Sequence, residues 1–122
     1  MFCLSNNGII RLTRGDSIEF PFIPAEGNSL SYSTYHMSAK DELYFGVMEA
    51  NEFFEDAIIK KKYTSIHQNE DGSIYIEFEP TDTEYLLPGL YYYQIKMRLY
   101  NEYNDSYSVN TVCPKTQFWI EE

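Results

Sequence analysis

The stretch from Pro88 to Leu99 constrains this fold more than any other. Pro88-Gly89 ends what precedes it, because proline disfavours helix for the residue before it and glycine accepts positive φ. Tyr91, Tyr93, Ile95, Met97 and Leu99 then fall on one face of an extended strand, and Tyr92, Gln94, Lys96 and Arg98 on the other. An apolar face backed by a mostly polar one points to an antiparallel sheet covered on one side. Just upstream, a short helical turn is expected near Thr81-Leu87. Thr81 or Asp82 supplies its cap, Glu84 stands three residues after Thr81 as in a capping box, and Leu86 and Leu87 give it an apolar side.

Further strands follow from the same alternation. Ile9 to Thr13 reads as a short first strand after a loose or edge-pairing tail over residues 1–8. Arg14-Gly15-Asp16 is a turn. Ile18, Phe20 and Phe22 then share a face, with Pro21 marking an edge strand or a bulge. Pro24 to Ser29 reads as a loop and Leu30 to Met37 as a polar strand. Leu43, Phe45 and Val47 share the face of a strong strand in which Gly46 marks a bulge or a close approach. Asn51 to Ala57 reads as one helical turn capped by Asn51, and Ile58 to Thr64 as a strand. Asp71-Gly72 is a hairpin signal before the cleanest alternation in the chain, with Ile74, Ile76 and Phe78 on one side and Ser73, Tyr75 and Glu77 on the other. Tyr100 to Asn110 is either a long hairpin tip or an extension of both flanking strands. Val112, Thr116, Phe118 and Ile120 belong to the last strand, with Pro114 at a bulge or edge. About seven strands with turns between them give an all-β antiparallel sandwich, as one domain over residues 9–122.

Charge and composition narrow the function. The net charge of −10 argues against sequence-independent nucleic-acid binding, which needs clustered Lys and Arg. The one cationic run, Lys60-Lys61-Lys62, reads as a solvated edge or turn. There is no basic segment followed by an apolar stretch of signal-peptide length, and no apolar run long enough for a transmembrane helix. Cys3 and Cys113 are in no CxxC pair and near no His cluster. They read as unpaired thiols of a reducing compartment, although spacing alone leaves a disulfide open.

No residue constellation carries catalysis. GxSxG, P-loop and GxGxxG patterns are absent, and His36 and His67 have no partner at metal-ligand spacing. The chain is expected to be no enzyme and to need no cofactor. Tyr is the most frequent aromatic, with 12 copies, and its apolar body and polar tip suit half-exposed strand faces and interfaces. Tyr92, Tyr103, Tyr107 and Trp119 are the candidate interface residues.

The passage Pro80-Thr81-Asp82-Thr83-Glu84-Tyr85-Leu86-Leu87-Pro88-Gly89, running into Tyr91-Tyr92-Tyr93-Gln94-Ile95, resembles the small Ig-like domain of phage tail and baseplate proteins. It is most similar to the N-terminal domain of siphophage upper baseplate proteins. The Arg14-Gly15-Asp16 turn, Leu43 to Glu49, Ile58 to Thr64 and the Asp71-Gly72 turn add to the likeness, which covers roughly Ile9 to Ile120. The resemblance implies an Ig-like sandwich and a non-enzymatic virion structural protein of tail, neck or baseplate. Its partners would be other virion proteins and further copies of itself, with neither nucleic acid nor membrane, in the virion and, during assembly, in the host cytoplasm. The chain departs from the family in its longer Tyr100–Asn110 segment. It also ends soon after the last strand, where the family continues into a stalk, and is expected to be a complete short protein. The alternative is a small carbohydrate- or receptor-binding sandwich with Tyr103, Tyr107 and Trp119 as stacking platforms.

Overall fold

The computed structural model describes residues 2–3, 8–28 and 30–122, with Phe2, Cys3 and Asn28 described by their backbone. Its strands are β1 (Phe2–Cys3), β2 (Ile10–Thr13), β3 (Ile18–Phe22), β4 (Pro24–Asn28), β5 (Ser31–Thr34), β6 (Glu42–Met48), β7 (Ile59–Thr64), β8 (Ile74–Phe78), β9 (Gly89–Asn101) and β10 (Ser106–Glu121). One short helix, α1 (Pro80–Thr83), and 3-10 turns at Phe54–Asp56 and Ser65–His67 complete the described elements. The chain is an all-β sandwich.

The main sheet has the order β2-β10-β9-β6-β7, and β3 pairs with β8 to form the sheet across the core. Pairing is antiparallel except where β2 runs parallel to β10, with Ile10 opposite Phe118 and Leu12 opposite Ile120. A third sheet, β1-β4-β5, flanks the sandwich. The β10-β9-β6-β7 order is that of the G-F-C-C′ strands of variable-type immunoglobulin domains, with β3 and β8 in the places of B and E.

Period-two alternation decides which side chains make the core. Tyr91, Tyr93, Ile95 and Met97 of β9 are buried, as are Leu43, Phe45 and Val47 of β6 and Ile74, Ile76 and Phe78 of β8. Phe45 lies at the centre. Its ring meets Phe78 edge-on at 5.5 Å, stacks on Tyr93 at 5.3 Å and meets Phe20 at 6.0 Å. Phe78 also contacts Phe118 at 5.5 Å, so aromatic contacts join both layers. Such pairs contribute about 0.5–1.5 kcal/mol each beyond their buried area.

The turn before β9 begins earlier and is shorter than expected: its cap is Glu79 and not Thr81 or Asp82, its capping box pairs Glu79 with Asp82, and its helix ends at Thr83. Pro80 is the first helical residue, and the Asp82 carboxylate accepts the backbone N–H of Glu79 at 2.8 Å. Proline suits that position because its missing donor would have no partner there. Thr83 is fully buried, and its hydroxyl oxygen accepts the Gly15 N–H at 2.9 Å. The β2–β3 turn is thereby tied to the β8–β9 corner. Leu86 packs against the core, whereas Leu87 is exposed. The Tyr91 hydroxyl donates to the Leu87 carbonyl at 2.7 Å, the hydrogen bond of a tyrosine corner.

Several other expectations are revised. The segment expected as a loop at Pro24–Ser29 forms β4 as far as Asn28, paired on one side with Phe2–Cys3 and on the other with β5. The tail takes its edge-pairing form at Phe2–Cys3, while Met1 and residues 4–7 lie outside the described residues, as does the Cys3 side chain. Asp71-Gly72 makes a turn but no hairpin, because β7 pairs with β6 and β8 with β3. Ser73 is buried, not solvent-facing: its hydroxyl donates to Asp71 at 2.6 Å and its carbonyl accepts the Asn69 N–H at 2.8 Å. The Tyr100–Asn110 segment extends both strands, leaving a tip at 102–105. Register shifts flank Cys113 near Pro114, which is why Val112 and Cys113 are both buried.

Candidate interaction surface

The order β7-β6-β9 brings together residues that are far apart in the chain. Lys62 stands opposite Tyr44, and Tyr44 opposite Lys96. Lys60 stands opposite Gly46, and Glu42 opposite Arg98. All of these point away from the core, on the outward face of the main sheet.

Gly46 explains how this face is built. A Cβ there would meet the Phe54 ring at 2.8 Å and the Ala57 Cβ at 3.2 Å. The close approach expected at this glycine is therefore made by the 3-10 turn, whose Phe54 ring lies over bare backbone. The Lys96 ammonium sits 5.1 Å from the centre of that ring. Arg98 stacks over Tyr107 at 4.1 Å, and Arg11 over Trp119 at 5.3 Å. Cations over aromatic faces are held by the ring quadrupole while their heads stay in water.

The charges on this face are unequally partnered. The Glu42 carboxylate receives Lys62 and Arg98, each at 2.7 Å, and the Tyr44 hydroxyl at 3.1 Å. The hydrogen bond from Lys62 is the main reason its pKa lies below the ordinary glutamate value, and the same contact raises that of Lys62. Lys60 donates to the Glu55 carbonyl at 2.5 Å. Among the described residues neither Lys60 nor Lys96 forms an ion pair with a carboxylate. Tyr44, Phe54, Lys60, Lys96, Arg98 and Val109, with Glu55, line a groove of about 340 Å³. The lysine run lies on β7, the edge strand of the main sheet, as expected of a solvated edge, but its three side chains do not act alike. Strand alternation turns Lys60 and Lys62 outward and sends Lys61 to Asp82, at 2.7 Å.

The four aromatics singled out from the sequence are only partly brought together. Tyr92 and Trp119 are near neighbours at one end of the outward face. Tyr92 lies opposite Gln117, and the Trp119 indole donates to the Gln117 side chain at 3.1 Å. Tyr107 is on the same face near the other end, beside Tyr100 at 5.3 Å. Tyr103 is fully exposed at the hairpin tip. Tyr44, Phe54, Lys96 and Arg98 are not among the candidates read from the sequence, and Lys60 is read there only as part of a solvated edge or turn. Their outward alternation was readable, but their convergence depends on strand order.

A second polar cluster is structural. Asp41 is buried and accepts the Tyr35 hydroxyl at 2.5 Å, the Ser38 N–H at 2.9 Å and the Tyr100 N–H at 2.9 Å. Desolvation alone would raise the Asp41 pKa, but these donors outweigh it and hold the value below the ordinary aspartate range. Burial, then the bond to Asp41, pushes the Tyr35 phenol well above its usual value.

Among the described residues no group of three or more His, Cys, Asp and Glu side chains is placed to hold a metal ion, and no buried side-chain polar atom lacks a partner. No helix of the described residues is long and apolar enough to cross a membrane. No protein-family model, no curated protein and no solved structure matches this chain.

Proposed function

We propose that this chain is a non-enzymatic structural protein of a phage or prophage virion, an assembly module of tail, neck or baseplate that works by protein–protein docking. The observation that carries the reading is the outward face of the main sheet, where cations lie over aromatic rings around an open groove. Aromatic and arginine side chains of this kind dominate docking surfaces. The likeness of the Pro80–Ile95 passage to the Ig-like domain of tail and baseplate proteins supplies the class of assembly.

A carbohydrate platform finds less support. Tyr103 lies beyond the end of β9, whereas Trp119 stands opposite Leu90 near its start. At ~3.3 Å per residue the stretch of β9 between them, Leu90 to Asn101, spans roughly 36 Å, too far for both to stack on one short glycan.

Peptide mass spectrometry on purified particles from an induced lysate of the source strain tests the proposal. The expected result is this chain at several copies per particle. Its absence from particles that contain the other tail proteins overturns the reading.

A further inference from the structure

The two outward faces of the sandwich carry opposite charge. On the β3–β8 sheet Glu19 stands directly opposite Glu77, and both are exposed. Like charges directly opposite in an antiparallel pair repel. Neither carboxylate forms an ion pair among the described residues. Glu79 joins them around an open groove of about 360 Å³ that also touches Ser17, Ile18 and Phe78. On the other side of the molecule, the groove of the main sheet presents Lys60, Lys96 and Arg98 against the single acid Glu55. A chain of net charge −10 has thus gathered on one outward face two lysines with no carboxylate partner among the described residues, beside an Arg98 that is paired with Glu42, and repelling carboxylates on the other.

We propose that the chain self-associates head to tail, the Lys60–Lys96–Arg98 groove of one copy docking on the Glu19–Glu77–Glu79 face of the next. Lys60 and Lys96 supply what the acidic face lacks and receive carboxylates in return, with the Arg98 guanidinium, already held by Glu42, adding positive charge beside them. The exposed Val109 and the Phe54 ring add apolar surface beside the cations. The two outer faces of a sandwich point in opposite directions, so this contact cannot be satisfied reciprocally within a dimer. It is heterologous and propagates, as a ring if the rotation closes and as a filament if it does not. The proposal names a partner for the docking face described above, but it rests on charge and register and not on the presence of this chain in a virion.

Sedimentation velocity on the full chain tests it, separately from any particle analysis. The wild-type protein is expected to form a concentration-dependent series of oligomers larger than a dimer. Glu19→Lys with Glu77→Lys removes one face, and Lys60→Glu with Lys96→Glu removes the other. Each double variant alone is expected to be monomeric, an equimolar mixture of the two is expected to associate again, and a mixture that stays monomeric counts against charge-complementary docking. In a second mixture, Glu19→Gln/Glu77→Gln and Lys60→Gln/Lys96→Gln variants each keep one native face. They are expected to form a heterodimer that grows no further. The exposed Lys60→Glu change alone, which leaves the Lys96–Phe54 contact intact, is expected to weaken association in the same direction. A wild-type chain that stays monomeric throughout the micromolar range overturns the proposal, as does association that survives loss of either face.

Discussion

The Tyr91 hydroxyl reaches back four residues to the Leu87 carbonyl, at 2.7 Å, across the corner that Pro88 and Gly89 turn. This bond fixes how α1 and the Leu86 side chain sit against the start of β9. Burial raises the Tyr91 pKa, with a smaller contribution from Glu49, so the phenol stays protonated and remains a donor at neutral pH.

Tyr91→Phe keeps the ring in the core and removes only that donor. The expected loss is about 0.5–1.5 kcal/mol, the net value of one such hydrogen bond. Urea unfolding should show a lower midpoint with an unchanged m-value, because the surface buried on folding is the same. A larger m-value change would mean that the corner itself had opened.

Asp41 gives a prediction with a definite sign in pH. Its folded pKa lies below the ordinary aspartate value of about 3.9, so its stabilisation is complete above that pH and is lost as pH falls through the lower folded value. Asp41→Asn cannot accept from the Tyr35, Ser38 and Tyr100 donors in the same way. At pH 7 it is expected to cost about 1–3 kcal/mol, the penalty for leaving buried donors without an acceptor. Below about pH 4 the difference from wild type should shrink, because the wild-type carboxyl becomes neutral as well. Glu42 and Asp71, whose pKa values are also lowered, lose their contributions equally in both proteins and cancel in the difference. Paired urea titrations from neutral to acid pH measure this difference directly.

The strands that obey alternation were legible: β6, β8 and β9 lie where Leu43–Val47, Ile74–Phe78 and Tyr91–Leu99 place them. The sequence hid β4 because Pro24, Gly27 and Asn28 are poor strand formers, and the segment is held by its pairing to β1 and β5. The parallel β2–β10 pair joins residues over a hundred positions apart, and no local pattern encodes that choice. The candidate site was half legible for the same reason. The outward direction of Lys96 and Arg98 follows from period two, but their meeting with Lys60 and Phe54 requires the β7-β6-β9 order. That order arises from long-range packing.

Gly46 lets stability and groove shape be separated. Gly46→Ala gains roughly 0.5–1 kcal/mol of strand preference over glycine. It also places a methyl 2.8 Å from the Phe54 ring edge, which must swing away. The ring belongs to a surface turn, so the two effects should nearly cancel and stability should stay within about 1 kcal/mol of wild type. The groove should nonetheless change. The Lys96 ammonium lies 5.1 Å from the centre of the Phe54 ring, so the ring-current shift expected for the adjoining Hε protons in the NMR spectrum should diminish. An unchanged shift would show that the ring tolerates the methyl in place.

Glu42 opposes folding to assembly. Its carboxylate holds Lys62 and Arg98 on the outward face, each at 2.7 Å, and is itself mostly covered. Glu42→Gln removes that anchor, so the monomer should unfold at slightly lower urea. Because its partners are half exposed, the difference should fade as salt is raised. The same substitution removes a negative charge from a face that docks on carboxylates and releases Arg98 to meet them. Head-to-tail association should therefore tighten, with larger oligomers at the same concentration in sedimentation velocity, while the unfolding midpoint falls. A variant that lost stability and association together would mean that Glu42 acts only by shaping the face, and that its charge has no part in docking.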